Sequence, residues 1–213
     1  MSRRGQVFEN PVTGERVVVL TDPAEHPDRV LTAHLMVSPG GRVANAHIHP
    51  TVRERFHVLA GQVGFQVGDR DLVLGPGESA EVPAGTAHDW WQVGDEEASV
   101  VVEAEPGDRL ADFITSIFGL CRDGKSNASG VPRPLQIAVM IDEYKDEMIL
   151  ASPPPAIQRG IAAALAPIGR WRGRKPSYAE YQRSDVVVEP DPAALAMVGP
   201  DGRLIFEPDL PRS

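Results

Sequence analysis

Up to about residue 108 the apolar positions fall in short runs, many of them alternating with polar ones, and most runs end on Gly, Pro or Asn. That is the pattern of β-strands joined by tight turns. Gln6 to Phe8 and Arg16 to Leu20 are predicted to pair as a hairpin through Asn10-Pro11 and Thr13-Gly14. Val30 to Val37 forms a further strand, closed by Ser38-Pro39-Gly40-Gly41. Phe56, Val58 and Leu59 mark the next, and Gln62 to Val67 turns at Gly68-Asp69 to return as Asp71 to Leu74. Glu78 to Val82, His88 to Val93 and the valine-rich Ala98 to Ala104 complete the set. Many short strands at regular spacing predict a β-sandwich or barrel.

The period then changes. Leu110, Phe113, Ile114, Ile117, Phe118 and Cys121 recur at helical spacing. A loop over Gly124 to Pro134 leads to a second helical stretch, Leu135 to Leu150, ended by Pro153-Pro154-Pro155. The third, Ile157 to Ile168, places Ile157, Ile161, Leu165 and Ile168 on one face. Tyr178 to Arg183 suggests a short turn, and the Pro- and Asp-rich last thirty residues read as irregular, with one strand at Arg203 to Phe206. The expected division is a β domain over 1–108 and, over 109–213, a helical extension with an irregular tail. The extension is expected to pack on the barrel or on a second subunit.

Charge marks the same boundary. Residues 1–109 carry nine Lys/Arg against seventeen Asp/Glu, whereas residues 110–213 carry twelve against thirteen. A formal net charge of −9 argues against nucleic-acid binding, which needs a cationic surface. Arg159, Arg170, Arg172, Arg174 and Lys175 form a local basic run, which solvation and a helix C-terminus explain. The single cysteine, Cys121, allows no intramolecular disulfide and reads as a buried small hydrophobe. No apolar run long enough to span a bilayer or serve as a signal peptide is evident. The expectation is a cytoplasmic protein with no membrane contact.

The candidate chemistry lies between Gly41 and Gln92. His47 and His49 are one residue apart, so on a strand both imidazoles face the same way. Pro50 favours a bend after them, and a hairpin-like return brings Glu54 beside the pair. Two imidazoles and a carboxylate on one point suit a divalent metal. Gly41, His47, His49, Glu54 and Gly61 (motif 41–61) fill G-x5-H-x-H-x4-E-x6-G. Gly77, Pro83, Gly85 and His88 (motif 77–92) fill G-x5-P-x-G-x2-H-x3-N, with Gln92 at the place of Asn.

In these paired motifs the chain resembles the cupin superfamily, matching nine of ten fixed places over the 52 residues from Gly41 to Gln92. The resemblance implies a mainly β fold, a double-stranded β-helix or jelly-roll barrel, here with a C-terminal α-helical extension. It also implies a metal held by His47, His49, Glu54 and His88. The Glu54 carboxylate would permit it to leave the metal and serve as a catalytic base. Three imidazoles and a carboxylate leave two places on a six-coordinate ion. The set fits Fe, Mn, Ni, Co, Cu or Zn without choosing among them.

Parity supplies the surroundings. Phe56, Val58, Phe65 and Trp90 should point inward, lining a substrate pocket or filling the core, and Gln92 could offer a hydrogen bond there. His57 falls on the opposite face, His26 reads as structural or surface, and His34 could face the interior. Three function classes follow. The leading one is a metal-dependent oxygenase (dioxygenase-like) acting on a small organic molecule, in a chain expected to be a homodimer. A metal-dependent isomerase, lyase or decarboxylase is the second, and a non-enzymatic small-ligand-binding cupin the third.

Overall fold

The structure is a computed structural model that describes residues 3–43 and 46–206; Ala44 and Asn45 of the first motif and the end of the irregular tail lie outside the described residues. Ten strands come first: β1 Val7–Asn10, β2 Glu15–Thr21, β3 Leu31–Val37, β4 His47–Ile48, β5 Arg53–Ala60, β6 Gln62–Val67, β7 Arg70–Leu74, β8 Ser79–Val82, β9 Ala87–Val93 and β10 Ala98–Glu105. Helices α1 Asp108–Arg122 and α2 Pro134–Glu143 follow, then strand β11 Ile149–Leu150. Helix α3 Pro155–Trp171, a 3₁₀ turn at Ala179–Tyr181 and helix α4 Pro192–Ala196 complete the chain.

The strands form two antiparallel sheets, β1-β2-β3-β10-β5-β8 and β11-β4-β9-β6-β7. This is the jelly-roll sandwich expected of the β run. Leu35, Val37, Phe56, Val58, Val63, Phe65 and Trp90 meet between the sheets as the main core. Strands β3 and β10 are largely buried on both faces because both faces are covered. On the inner face, α1 continues the cover over β1 and β2, where Phe118 packs with Phe8 and Val19. On the outer face, Leu20 and Val101 are covered by Ala194 and Leu204 of the tail. The tail is further held where Leu204 N donates to Glu103 (2.8 Å) and Arg203 pairs with Glu105 (2.9 Å).

Four expectations are corrected. Leu135 to Leu150 is not one helix: α2 ends at Glu143, and Ile149–Leu150 pairs with β4 at Ile149↔Ile48 and Leu150↔His47. The edge backbone of β4 needs partners, and this segment supplies them. In α3 the Ile157, Ile161 and Ile168 stripe is exposed, while Gln158, Ala162, Ala166 and Gly169 are buried. A Cβ at Gly169 would lie 2.6 Å from the Val139 side chain and 2.7 Å from the Leu135 carbonyl. Close approach of α3 to α2 therefore selects small residues, against the hydrophobic pattern. His34 does not face the interior: it alternates with inward Ala33 and Leu35, and its Nε2 sits 2.7 Å from Ser99 Oγ. The strand expected at Arg203 to Phe206 is a single bridge, Val198↔Leu204.

Candidate metal centre

β4 and β9 are registered so that His47 lies opposite His88. One residue past β4, His49 ends its segment before Pro50, and its carbonyl accepts from Gly85 N at 2.8 Å. Glu54 stands at the start of β5, across the sandwich. The motif glycine Gly61 has φ +69°, and a Cβ there would meet the Glu97 carbonyl at 2.6 Å, so the turn after β5 requires glycine. These backbones bring four buried side chains together: one donor atom from each of His47, His49, Glu54 and His88 lies within 4.8 Å of the others.

The inner geometry is that of a metal-ligand set. Glu54 Oε2 is 3.0 Å from His88 Nε2 and 3.4 Å from His49 Nε2. The imidazole centroids stand 4.2 Å apart for His47 and His88 and 4.8 Å apart for His47 and His49. His49 Nδ1 lies 2.5 Å from the Glu147 carbonyl, and His88 Nδ1 3.1 Å from the Thr86 carbonyl, so both act there as N–H donors. That fixes the tautomer with Nε2 unprotonated and facing the centre, as ligand imidazoles require. His88 Nε2 is buried with no aligned hydrogen-bond partner, an orphan atom that a cation would satisfy.

Electrostatics agree. Burial alone would raise the Glu54 pKa, but His49, His88 and His47 together hold it at about 2. Burial opposes protonation of His88, and Glu54 beside it overcomes this and raises its pKa. Glu54 is thus held ionised by the imidazoles around it.

A cavity of about 210 Å³ opens beside His47, His49 and Glu54. Phe56 and Trp90 line it, as parity predicts. Val58 and Phe65 do not; they lie in the main core. Nor does Gln92, whose amide is engaged elsewhere. Gly40 N donates to its Oε1 (2.8 Å), and its Nε2 donates to the carbonyls of Val93 (2.8 Å), Gly94 (3.0 Å) and Glu96 (2.7 Å). The ligand contact expected of Gln92 is thereby replaced by a loop-tying one. Gln92→Ala should cost about 1–3 kcal/mol, the penalty for unmade buried hydrogen bonds, with metal content unchanged. Denaturant unfolding with elemental analysis checks this; unchanged stability with lost metal would contradict it.

His57 Nδ1 contacts Ser79 Oγ at 2.8 Å on the other face of β5, and His26 Nε2 contacts the Asp201 carbonyl at 2.9 Å. Sequence reasoning missed Glu147, whose backbone reaches His49 from 98 residues away, a contact with no local signal. It also missed Glu15, although β2 alternation puts Glu15 on the face of cavity-lining Val17 and Val19.

Residues 33–103 match the family model of the cupin domain. The two-sheet fold, the paired motifs and this match define a cupin-type β-sandwich with a candidate metal centre. Residues 33–103 of the chain thus carry a cupin domain. No curated protein matches it. Among solved structures it is similar to a predicted oxalate decarboxylase from Thermotoga maritima (18% identity, 49% of this chain and 98% of that one, TM-score 0.43). It is also similar to an RmlC-like cupin from Shewanella frigidimarina (15% identity, 50% and 87%, TM-score 0.42). A third is the polyketide cyclase RemF from Streptomyces resistomycificus (24% identity, 49% and 70%, TM-score 0.40). Among the described residues no helix is long and apolar enough to cross a membrane.

Proposed function

We propose that this cupin is a metal-dependent oxygenase acting on a small, mainly apolar organic molecule, with His47, His49, Glu54 and His88 as the metal ligands. One observation carries the reading: three of the four donors border a cavity whose remaining wall is predominantly apolar, including Phe56 and Trp90. A bound divalent transition metal supplies Lewis acidity and, if redox-active, a site where an organic molecule and dioxygen meet. The protein does the rest. Phe56 and Trp90 exclude water and orient an apolar body, which strengthens electrostatic effects at the centre. Glu54, ionised, balances positive charge and offers an oxygen that can accept a proton from a bound acid. His49 and His88 are held in orientation by the Glu147 and Thr86 carbonyls.

The test is oxygen uptake by protein reconstituted with Fe(II), and separately with Zn(II), over a panel of aromatic and diketone compounds. Uptake with Fe(II) alone, reduced by Trp90→Ala without loss of metal, is the expected result. Turnover without oxygen consumption would replace this reading with an isomerase, lyase or decarboxylase. Binding without turnover would make the protein a non-enzymatic ligand-binding cupin.

A further inference from the structure

The cavity wall carries a second polar group, away from the metal donors. It lies on the β1–β2 hairpin, where Asn10, Thr13 and Glu15 border the cavity. Asn10 Oδ1 already accepts from Val12 N (3.1 Å) and Thr13 N (3.4 Å), closing the turn. Thr13 Oγ1 donates to Glu15 Oε2. That contact engages one of the two carboxyl oxygens. Arg3 borders the same cavity, but its guanidinium pairs with Asp22 and Asp112, each at 3.3 Å. It is not directed to Glu15.

A carboxyl in such a wall is costly. Burial, only partly offset by the Thr13 hydroxyl, pushes the Glu15 pKa up to about 7. A glutamine would make the same bond to Thr13 without that cost, so the hairpin itself does not need an acid here. The wall is continuous from this point to the metal centre. Arg42 N donates to the Thr13 carbonyl (3.1 Å), the adjacent Val43 N donates to the Trp90 carbonyl (3.2 Å), and Trp90 is two residues from His88. At about 210 Å³ the cavity is larger than the engineered one of about 150 Å³ that takes up benzene. It suits a molecule of one or two rings.

We propose that Glu15 is the distal anchor of this cavity, accepting a hydrogen bond from an O–H or N–H group on a mainly apolar molecule whose other end faces His47, His49 and Glu54. This rests on the reading above that the cavity is the substrate site, and it narrows the substrate class to hydroxylated or aminated, ring-sized compounds. Glu15 is a specificity determinant in this role: it touches the ligand far from the metal.

Calorimetric titration of the metal-loaded protein with 2-naphthol, 2-methoxynaphthalene and 2-(aminomethyl)naphthalene tests it. The methoxy compound keeps the shape and removes the donor. Wild-type protein should bind 2-naphthol about tenfold more tightly than its methyl ether, the scale of one hydrogen bond to an ionisable group. In Glu15→Leu the ratio should fall toward one, since the carboxyl acceptor is gone. Glu15→Gln, close in shape, keeps an acceptor oxygen and guards against misfolding of the leucine variant; it should retain part of the preference. Tighter binding of the amine than of the naphthol would assign the natural donor to N–H, and the reverse order to O–H. A wild-type ratio near one, a preference undiminished in Glu15→Leu, or no binding of any of the three would each overturn the proposal. Binding is read without turnover, so absence of oxygen uptake leaves this inference standing. Oxygen uptake with no dependence of binding on Glu15 would remove this inference alone.

Discussion

Protein carrying His88→Ala, purified without added metal, should contain far less than one metal ion per chain, while wild type approaches one. His88 is 2% exposed, and its Nε2 faces Glu54 with no other partner. Removing it deletes a quarter of the donor set from the dry interior. Even outer-shell partners of metal ligands are worth about 10–100-fold in affinity, so a lost ligand should exceed about 100-fold. The backbone pairing of β4 with β9 does not use the imidazole, so far-UV circular dichroism should be little changed. Equal metal content in wild type, His88→Ala and His47→Ala would remove the assignment. Acid should act in the same direction. A metal ligand must be unprotonated, and Glu54 raises the proton affinity of His88 in the metal-free site. Protons therefore compete from above the ordinary histidine value of about 6.5 downward. Glu54 stays ionised until about 2, so loss of metal between pH 7 and 5 reports the imidazoles and not the carboxylate. Constant occupancy over that interval would contradict this.

The readable parts of this molecule were those set by local geometry. Strand alternation puts Phe56 and Trp90 on the inner face because a period of two leaves no freedom once Glu54 and His88 are fixed. The spacing of His47, His49, Glu54 and His88 likewise states a turn and two strand starts, all set by nearby residues. What escaped depends on distant packing. Gln92 shares the parity of Trp90, yet the loop after β9 reaches back to its amide first, and parity cannot show a competing acceptor. In α3 the stripe Ile157, Ile161 and Ile168 fits an inward apolar face, but the close contact with α2 at Gly169 and Val139 admits only small side chains. β11 is two residues long, too short for any periodicity, and exists because β4 offers an unpaired edge. Glu15 was within reach of the same alternation that placed Phe56. An acid on a hairpin ordinarily faces water, so alternation alone gives no reason to place it inside.

Chain 1–108, ending where α1 begins, should fail to fold as a soluble monomer. The break in charge and hydrophobic period near this point suggests a division, but the inner and outer faces of one sheet are both covered from beyond it. Without α1, Phe8 and Val19 lose Phe118, and Val52 and Ala104 lose Leu110. Without the tail, Leu20 and Val101 lose Ala194 and Leu204. Each large apolar side chain uncovered forfeits about 1.5–3 kcal/mol. Several together match or exceed the roughly 5–15 kcal/mol by which whole domains are stable. The cut also removes the Glu147 carbonyl that orients His49 and the strand that pairs with His47, so any residual folded fraction should bind metal poorly. A smaller perturbation separates this packing argument from general damage by truncation. Phe118→Ala in the full chain empties a buried site against the barrel and should cost about 3–5 kcal/mol, read from the shift in denaturation midpoint. A monomeric 1–108 fragment as stable as the full chain, together with a Phe118→Ala protein of unchanged midpoint, would show the helices to be an independent appendage. The expected outcome is that sheet, helices and tail unfold as one cooperative unit around the metal centre.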